Sequence, residues 1–143
     1  MEKLFIQGPI KPLFVSEVIQ KHASDYRSGA FTMFLGQIRN DEIDGQEVQG
    51  IEYTAYEEMA EKAAQKIIEE SIKSFELNTV QIYHSLGLVK TGEASLFVLV
   101  TAGHRPNVFK ACAHIVERIK KELPVWGKEI FDNNTYTWKK NIF

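Results

Sequence analysis

The chain has 143 residues, 44% hydrophobic and 25% charged, with a formal net charge of −2. This suits one soluble, properly cored domain over residues 1–143 and no second one, and it gives no general affinity for nucleic acid, so anion binding must come from a local cluster. No apolar run reaches the roughly 18 residues of a membrane span, the start MEKLFIQGPI lacks the marks of a signal peptide, and a lone cysteine excludes an internal disulfide or a Cys-rich metal site. A cytoplasmic protein is expected, without membrane contact, metal or bound cofactor.

Leu4 to Gln7 read as a short strand closed by Gly8 and Pro9. Val15, Val18, Ile19, Ala23 and Tyr26 follow at helical spacing, with Ser16 or a residue just before it as the cap. His22 shares that face and reads as a core-edge histidine. Gly29 then breaks the chain before Ala30 to Arg39, apolar on both parities and so expected as a central strand covered on both faces. Position alone leaves Arg39 open between a solvated rim residue and part of a site. Asn40 to Gln49, polar and carrying Gly45, reads as a hairpin loop.

A second long strand spans Val48 to Tyr56, with Ile51, Tyr53 and Ala55 on one parity. Glu57, Glu58 and Glu61 sit near the start of the next helix, where carboxylates favour the positive end of the dipole. Its buried face is Ala60, Ala63, Ala64, Ile67, Ile68 and Ile72, small enough for close packing on a sheet. Thr79 to Leu86 is a third strand with a structural His84, and Gly87 and Gly92 bracket a turn or short excursion. Ala94 to Ala102 is almost uninterrupted apolar chain, expected as a fully buried strand.

That strand runs into the most informative stretch, Val100 to Glu129. Gly103 turns the chain, His104 and Arg105 stand at the junction, and Pro106 suits the first helical turn. Val108, Cys112, Ile115, Val116, Ile119 and Leu123 form a 3.6-residue apolar stripe. Lys120 lies on its shoulder, while Lys121 and His114 point to water. Pro124 stops the helix and delivers Trp126 and Lys128 on the segment after it. Asp132 to Asn134 read as a turn and Thr135 to Trp138 as a last strand. Three helices among strands with uneven loops point to a mixed α+β domain rather than a doubly wound parallel sheet.

Arginine and histidine beside a lysine can hold a phosphate through charge-assisted hydrogen bonds. A lysine among other cations has its charged form disfavoured, which frees an amine for nucleophilic or general-base work. Lys120 and Lys128 are the candidates; spacing alone favours both simply riding on a solvated helix end. Cys112, inside the apolar stripe, is badly placed to carry sulfur.

GHR before an amphipathic helix, then IKKELPVWGKE (Ile119 to Glu129), together with GAFTMFLGQIRND (Gly29 to Asp41) and IEYTAYEEMAEKAAQKI (Ile51 to Ile67), resembles the large, catalytic subunit of molybdopterin synthase, the MoaE family. The resemblance implies an α/β hammerhead fold with a mixed sheet. It also implies a sulfurtransferase that installs the two dithiolene sulfurs of molybdopterin on cyclic pyranopterin monophosphate, in molybdenum cofactor biosynthesis. The sulfur would arrive as a C-terminal thiocarboxylate on a small ubiquitin-like sulfur-carrier subunit, with two large subunits as the central homodimer of a heterotetramer. Residue by residue, it implies Arg39, His104 and Arg105 as substrate and phosphate contacts and Lys120 as the central catalytic lysine.

One departure stands out. Where many members place a lysine directly after the tryptophan, this chain has Gly127. Lys128 is the expected replacement as second catalytic and substrate-binding lysine, with Lys139 or Lys140 as substitutes if it faces water. A homodimer whose pocket draws on both chains is expected. The reading from another class is a non-catalytic anion- or nucleic-acid-binding α+β module, using Trp126 and Tyr136 beside Arg105 and Lys128.

Overall fold

The computed structural model describes residues 3–139. In chain order these form β1 (Phe5–Gln7), α1 (Pro12–His22), β2 (Ala30–Gln37), β3 (Glu42–Ile43), β4 (Gln46–Ala55), α2 (Glu57–Phe75), β5 (Thr79–Lys90), β6 (Ala94–Ala102), α3 (Arg105–Glu122), β7 (Val125–Phe131) and β8 (Tyr136–Trp138). The strands lie in the order β2-β6-β5-β4-β7-β8, with β1 beside β5 and β3 folded back on β4 as a hairpin. Only the β1–β5 pairing is parallel. The expected mixed α+β architecture with three helices is therefore what forms.

All nine residues of β6 are buried, because helices cover both of its faces. On one side α2 contributes Ala60, Ala64 and Ile67 and α3 contributes Val108, Cys112, Ile115 and Ile119, packed on Ile82, Leu96, Val98 and Val100. On the other side Val18 of α1 packs with Tyr83, Phe97 and Leu99. Each large side chain fully removed from water contributes about 1.5 to 3 kcal/mol before the entropy of ordering is set against it. Arg118 of α3 locks the two helices together, reaching Glu122 at 2.6 Å and Glu70 of α2 at 3.0 Å.

The ends of α3 follow from local chemistry. Pro106 falls in its first turn, after the extended His104. At the other end Leu123 is extended (φ −76°, ψ 127°), the conformation that a following proline imposes on its predecessor. The chain leaves the helix directly into β7, which pairs antiparallel with β4 and sets Gly127 opposite Tyr53 and Lys128 opposite Glu52.

Several expectations are corrected. The first helix begins four residues before Ser16, at Pro12 after an extended Lys11, and it ends at His22, so Ala23 is its cap and Tyr26 lies outside it, 96% exposed. Strand β2 is not central: it is the sheet edge, and Met33 and Leu35 are 46% and 48% exposed. Gly87 does not end β5. The strand pairs with β6 through His84 and then with β4 from Gly87 onward, so one strand serves two sheet segments. The segment carrying Trp126 and Lys128 is a strand, β7, held by its ladder with β4.

Gly87 makes that double use of β5 possible. Its φ is +81°, and a Cβ there would meet Gln7 Nε2 at 2.9 Å. Just before it, His84 is buried, edge-on to Phe5 and to Tyr53, with ring centroids 6.4 and 5.0 Å away. Its Nδ1 lies 2.8 Å from the Ser85 carbonyl oxygen, which can only accept, so Nδ1 carries the hydrogen. Burial lowers its pKa to about 4, the Ser85 bond opposes the shift, and the Lys120 charge adds to it.

Gly87→Ala is expected to lower unfolding free energy by about 1 to 2 kcal/mol, since an L side chain resists a left-handed φ; an unchanged urea midpoint would contradict this. His84 makes stability pH-dependent with a definite sign. The unfolded chain takes up a proton at its ordinary pKa near 6.5 while the folded ring stays neutral down to about 4, so stability is full above the upper value and falls as pH drops through that window. Urea midpoints measured from pH 7 to pH 4 should decline by more in the wild type than in His84→Gln.

Candidate active site

Lys120 is where the fold concentrates its chemistry. Ile119 beside it is buried in the core beneath α3, so packing fixes the Lys120 backbone and its stem runs along the rim. The side chain enters a cavity of about 140 Å³ lined by Tyr53, His84, Leu123, Trp126, Gly127 and Lys139 among others. It also lines a neighbouring cavity of about 70 Å³, with Arg39, Asp41, Tyr53, Ser95, Glu129 and Lys139. Burial holds the Lys120 pKa below the ordinary lysine value, and the charge of Lys139 pushes the same way. More of the amine is thus unprotonated at neutral pH than in an exposed lysine.

Two strands supply the walls. Tyr53 projects from β4, and its hydroxyl is 3.1 Å from Ser95 Oγ of β6. Its pKa is raised, first by burial and then by the Glu129 charge, with the Ser95 bond acting against them. Glu129 is itself buried, on the parity of β7 that Gly127 shares. Arg39 stands two residues past the end of β2, exposed, with Nη2 3.3 Å from Asp41 Oδ2. An exposed pair of this kind contributes little stability, so the guanidinium can turn to a ligand at small cost.

The fold does not bring all the expected residues together. Lys128 lies on the other parity of β7 from Gly127 and Glu129, with its ammonium 3.4 Å from Glu52 Oε1 and 4.6 Å from the centre of the Tyr136 ring. It lines neither of the cavities that Lys120 enters. Lys139 lines both, while Lys140, the other expected substitute, lies outside the described residues. His104 and Arg105 are exposed at the first turn of α3, fifteen residues from Lys120 on the same helix, about 22 Å along its axis at 1.5 Å per residue. Within one protomer they cannot share a small ligand with Lys120.

The same separation parts Arg105 from Trp126 and Tyr136, so the stacking surface of a binding module is not assembled within a protomer. Trp126 instead meets Tyr56 edge-on at 4.8 Å. Among the described residues no three His, Cys, Asp or Glu side chains come together as metal ligands do, and no helix is long and apolar enough to cross a membrane.

Tyr53, His84 and Glu129 line the candidate cavities that Lys120 enters, and the sequence alone marks none of them as a catalytic group. Their convergence depends on the pairing of β4 with both β5 and β7. The local signal available was parity: Tyr53 follows Ile51 on an apolar face, yet carries a hydroxyl that a buried site must satisfy.

The model of the family described as MoaE protein matches residues 10–122. The molybdopterin synthase catalytic subunit of Rattus norvegicus is 35% identical over 97% of this chain and 68% of its own length. That of Pyrococcus abyssi is 36% identical over 79% of this chain and 76% of its own. Among solved structures, molybdopterin synthase from Staphylococcus aureus superposes with a TM-score of 0.85 at 26% identity, covering 99% of both chains. A complex of subunits 1 and 2 of molybdopterin-converting factor from Helicobacter pylori, 24% identical over 96% of this chain and 90% of its own, shares the fold with a TM-score of 0.81. With the chain, the blocks of sequence and the fold all agreeing, this protein belongs to the MoaE family, that of the molybdopterin synthase catalytic subunits.

Proposed function

We propose that this chain transfers sulfur from the C-terminal thiocarboxylate of a small ubiquitin-like partner to cyclic pyranopterin monophosphate, forming the dithiolene of molybdopterin. Lys120 carries the reading. It is a lysine whose backbone is fixed by core packing, whose pKa is depressed, and whose side chain lines two neighbouring cavities, one of them with an arginine. Such an amine can move a proton or attack an activated acyl group, and Arg39, His104 and Arg105 offer the forked and charge-assisted donors that a phosphate needs. The buried Cys112, its thiol pKa raised by burial, fits a sulfur supplied from outside the chain. The solved complex of subunits 1 and 2 of molybdopterin-converting factor from Helicobacter pylori supports a partner of this kind.

A homodimer explains why the phosphate contacts are split. Strand β2 runs from Ala30, paired with Ala102 just ahead of His104 and Arg105, to Gln37, just ahead of Arg39. Its outer edge is unpaired within the protomer and exposes Met33 and Leu35. A two-fold axis near the middle of that edge would carry the Arg39 end of one copy to the His104 and Arg105 end of the other. Each of two sites would then take Lys120 and Arg39 from one chain and His104 and Arg105 from its partner.

Lys120→Ala is expected to cut dithiolene formation, assayed with thiocarboxylated partner and the pterin precursor, by about 10²-fold or more while the partner still binds. Wild-type turnover in that variant would remove the mechanism. The shared site has its own test, because Lys120→Ala and Arg105→Ala chains, each inactive alone, leave one intact site in a mixed dimer. Unfolding and refolding them together in equal amounts should recover about a quarter of wild-type activity. No recovery, with mixed dimers present, would place both residues in one chain's site.

A further inference from the structure

Resting on that reading of the site, we propose that Lys139 is the second cation of the reaction centre, holding an anionic group of the substrates against Lys120. It lines both cavities that Lys120 enters. Backbone pairing sets its place: β8 lies antiparallel on β7, and the Lys139 N–H donates to the Gly127 carbonyl at 2.8 Å. Gly127 leaves the necessary space. A Cβ there would lie 2.8 Å from Ile51 Cγ2 and 3.3 Å from Tyr53 Cε1, so a side chain at that position would press on the residues that wall the cavity. With none present, Lys139, the residue just past β8, lines the cavity beside Gly127.

Charge points the same way. The smaller cavity is lined by Arg39, Lys120 and Lys139 on the positive side and by Asp41 and Glu129 on the negative. Asp41 is engaged by Arg39 at 3.3 Å, and Glu129 lines the same cavity as Lys120 and Lys139. The described side chains that line it carry one more positive than negative charge, and in a partly desolvated space an incoming anion is attracted more strongly than in bulk water. Lys128, by contrast, already has Glu52 and the Tyr136 ring. The anion has two sources in the proposed reaction: the thiocarboxylate of the partner's tail and the phosphate of the pterin.

The test compares Lys139→Gln, Lys139→Arg and Lys128→Gln with wild type and Lys120→Ala, titrating each substrate separately. Lys139 is exposed, so Lys139→Gln should keep the wild-type melting temperature while kcat/KM falls about tenfold or more, the loss expected for one charged contact. Lys139→Arg should recover part of it. A raised KM for the partner assigns the anion to the thiocarboxylate; a raised KM for the pterin assigns it to the phosphate. Wild-type kinetics toward both in Lys139→Gln, or the loss appearing in Lys128→Gln instead, overturns the proposal. A second measurement needs no turnover. Slower modification of Lys120 by an amine-reactive reagent at neutral pH in Lys139→Gln is expected, because removing the Lys139 charge raises the Lys120 pKa; an unchanged rate overturns the pairing. Failure of the sulfur-transfer reading would look different: the wild type itself would form no product.

Discussion

The candidate site depends on one strand being shared. β5 pairs with β6 as far as His84 and with β4 from Gly87, and only a residue free to take a left-handed φ allows the change of partner without ending the strand. The bend sets His84 and Tyr53 edge to edge at the seam. Helix α3 closes the same seam from above and brings Lys120 over it. A strand that stopped at Gly87 would leave two smaller sheets and no cavity between them.

The lysine's depressed pKa follows from this arrangement rather than from any single neighbour. Packing of Ile119 holds the backbone, the seam removes water from the stem, and Lys139 adds a like charge. Burial is the larger contribution. A reactive amine is therefore built mainly by placement, and the same burial keeps His84 neutral beside it, so the two basic groups do not compete as cations.

What was legible in the sequence is what is local. The α3 stripe, the all-apolar β6 and Lys120 on the helix shoulder each follow from spacing within one element. β2 was misplaced because a strand apolar on both parities looks the same whether helices cover it or its edge is open; Met33 and Leu35 are exposed all the same. β7 was passed over because Trp126, Gly127, Lys128 and Glu129 show no apolar alternation, and it is a strand only by its ladder with β4. Position after Trp126 does not tell which face of a strand Lys128 takes, and β7 puts it on the face opposite to Gly127 and Glu129. The grouping of Tyr53, Glu129 and Lys139 comes from pairings that join β4 to β7 and β7 to β8, which no short window of sequence contains.

The buried Cys112 has a meaning beyond the absence of a carrier. The residue is 6% exposed and its thiol pKa is raised by burial, so it holds little thiolate at neutral pH and offers little surface for attack. Oxidation to sulfenic acid and exchange with free persulfides both begin from an accessible thiolate. The chain's one cysteine is thereby shielded from oxidants and free persulfides, and the resting state should be indifferent to the redox poise of its surroundings.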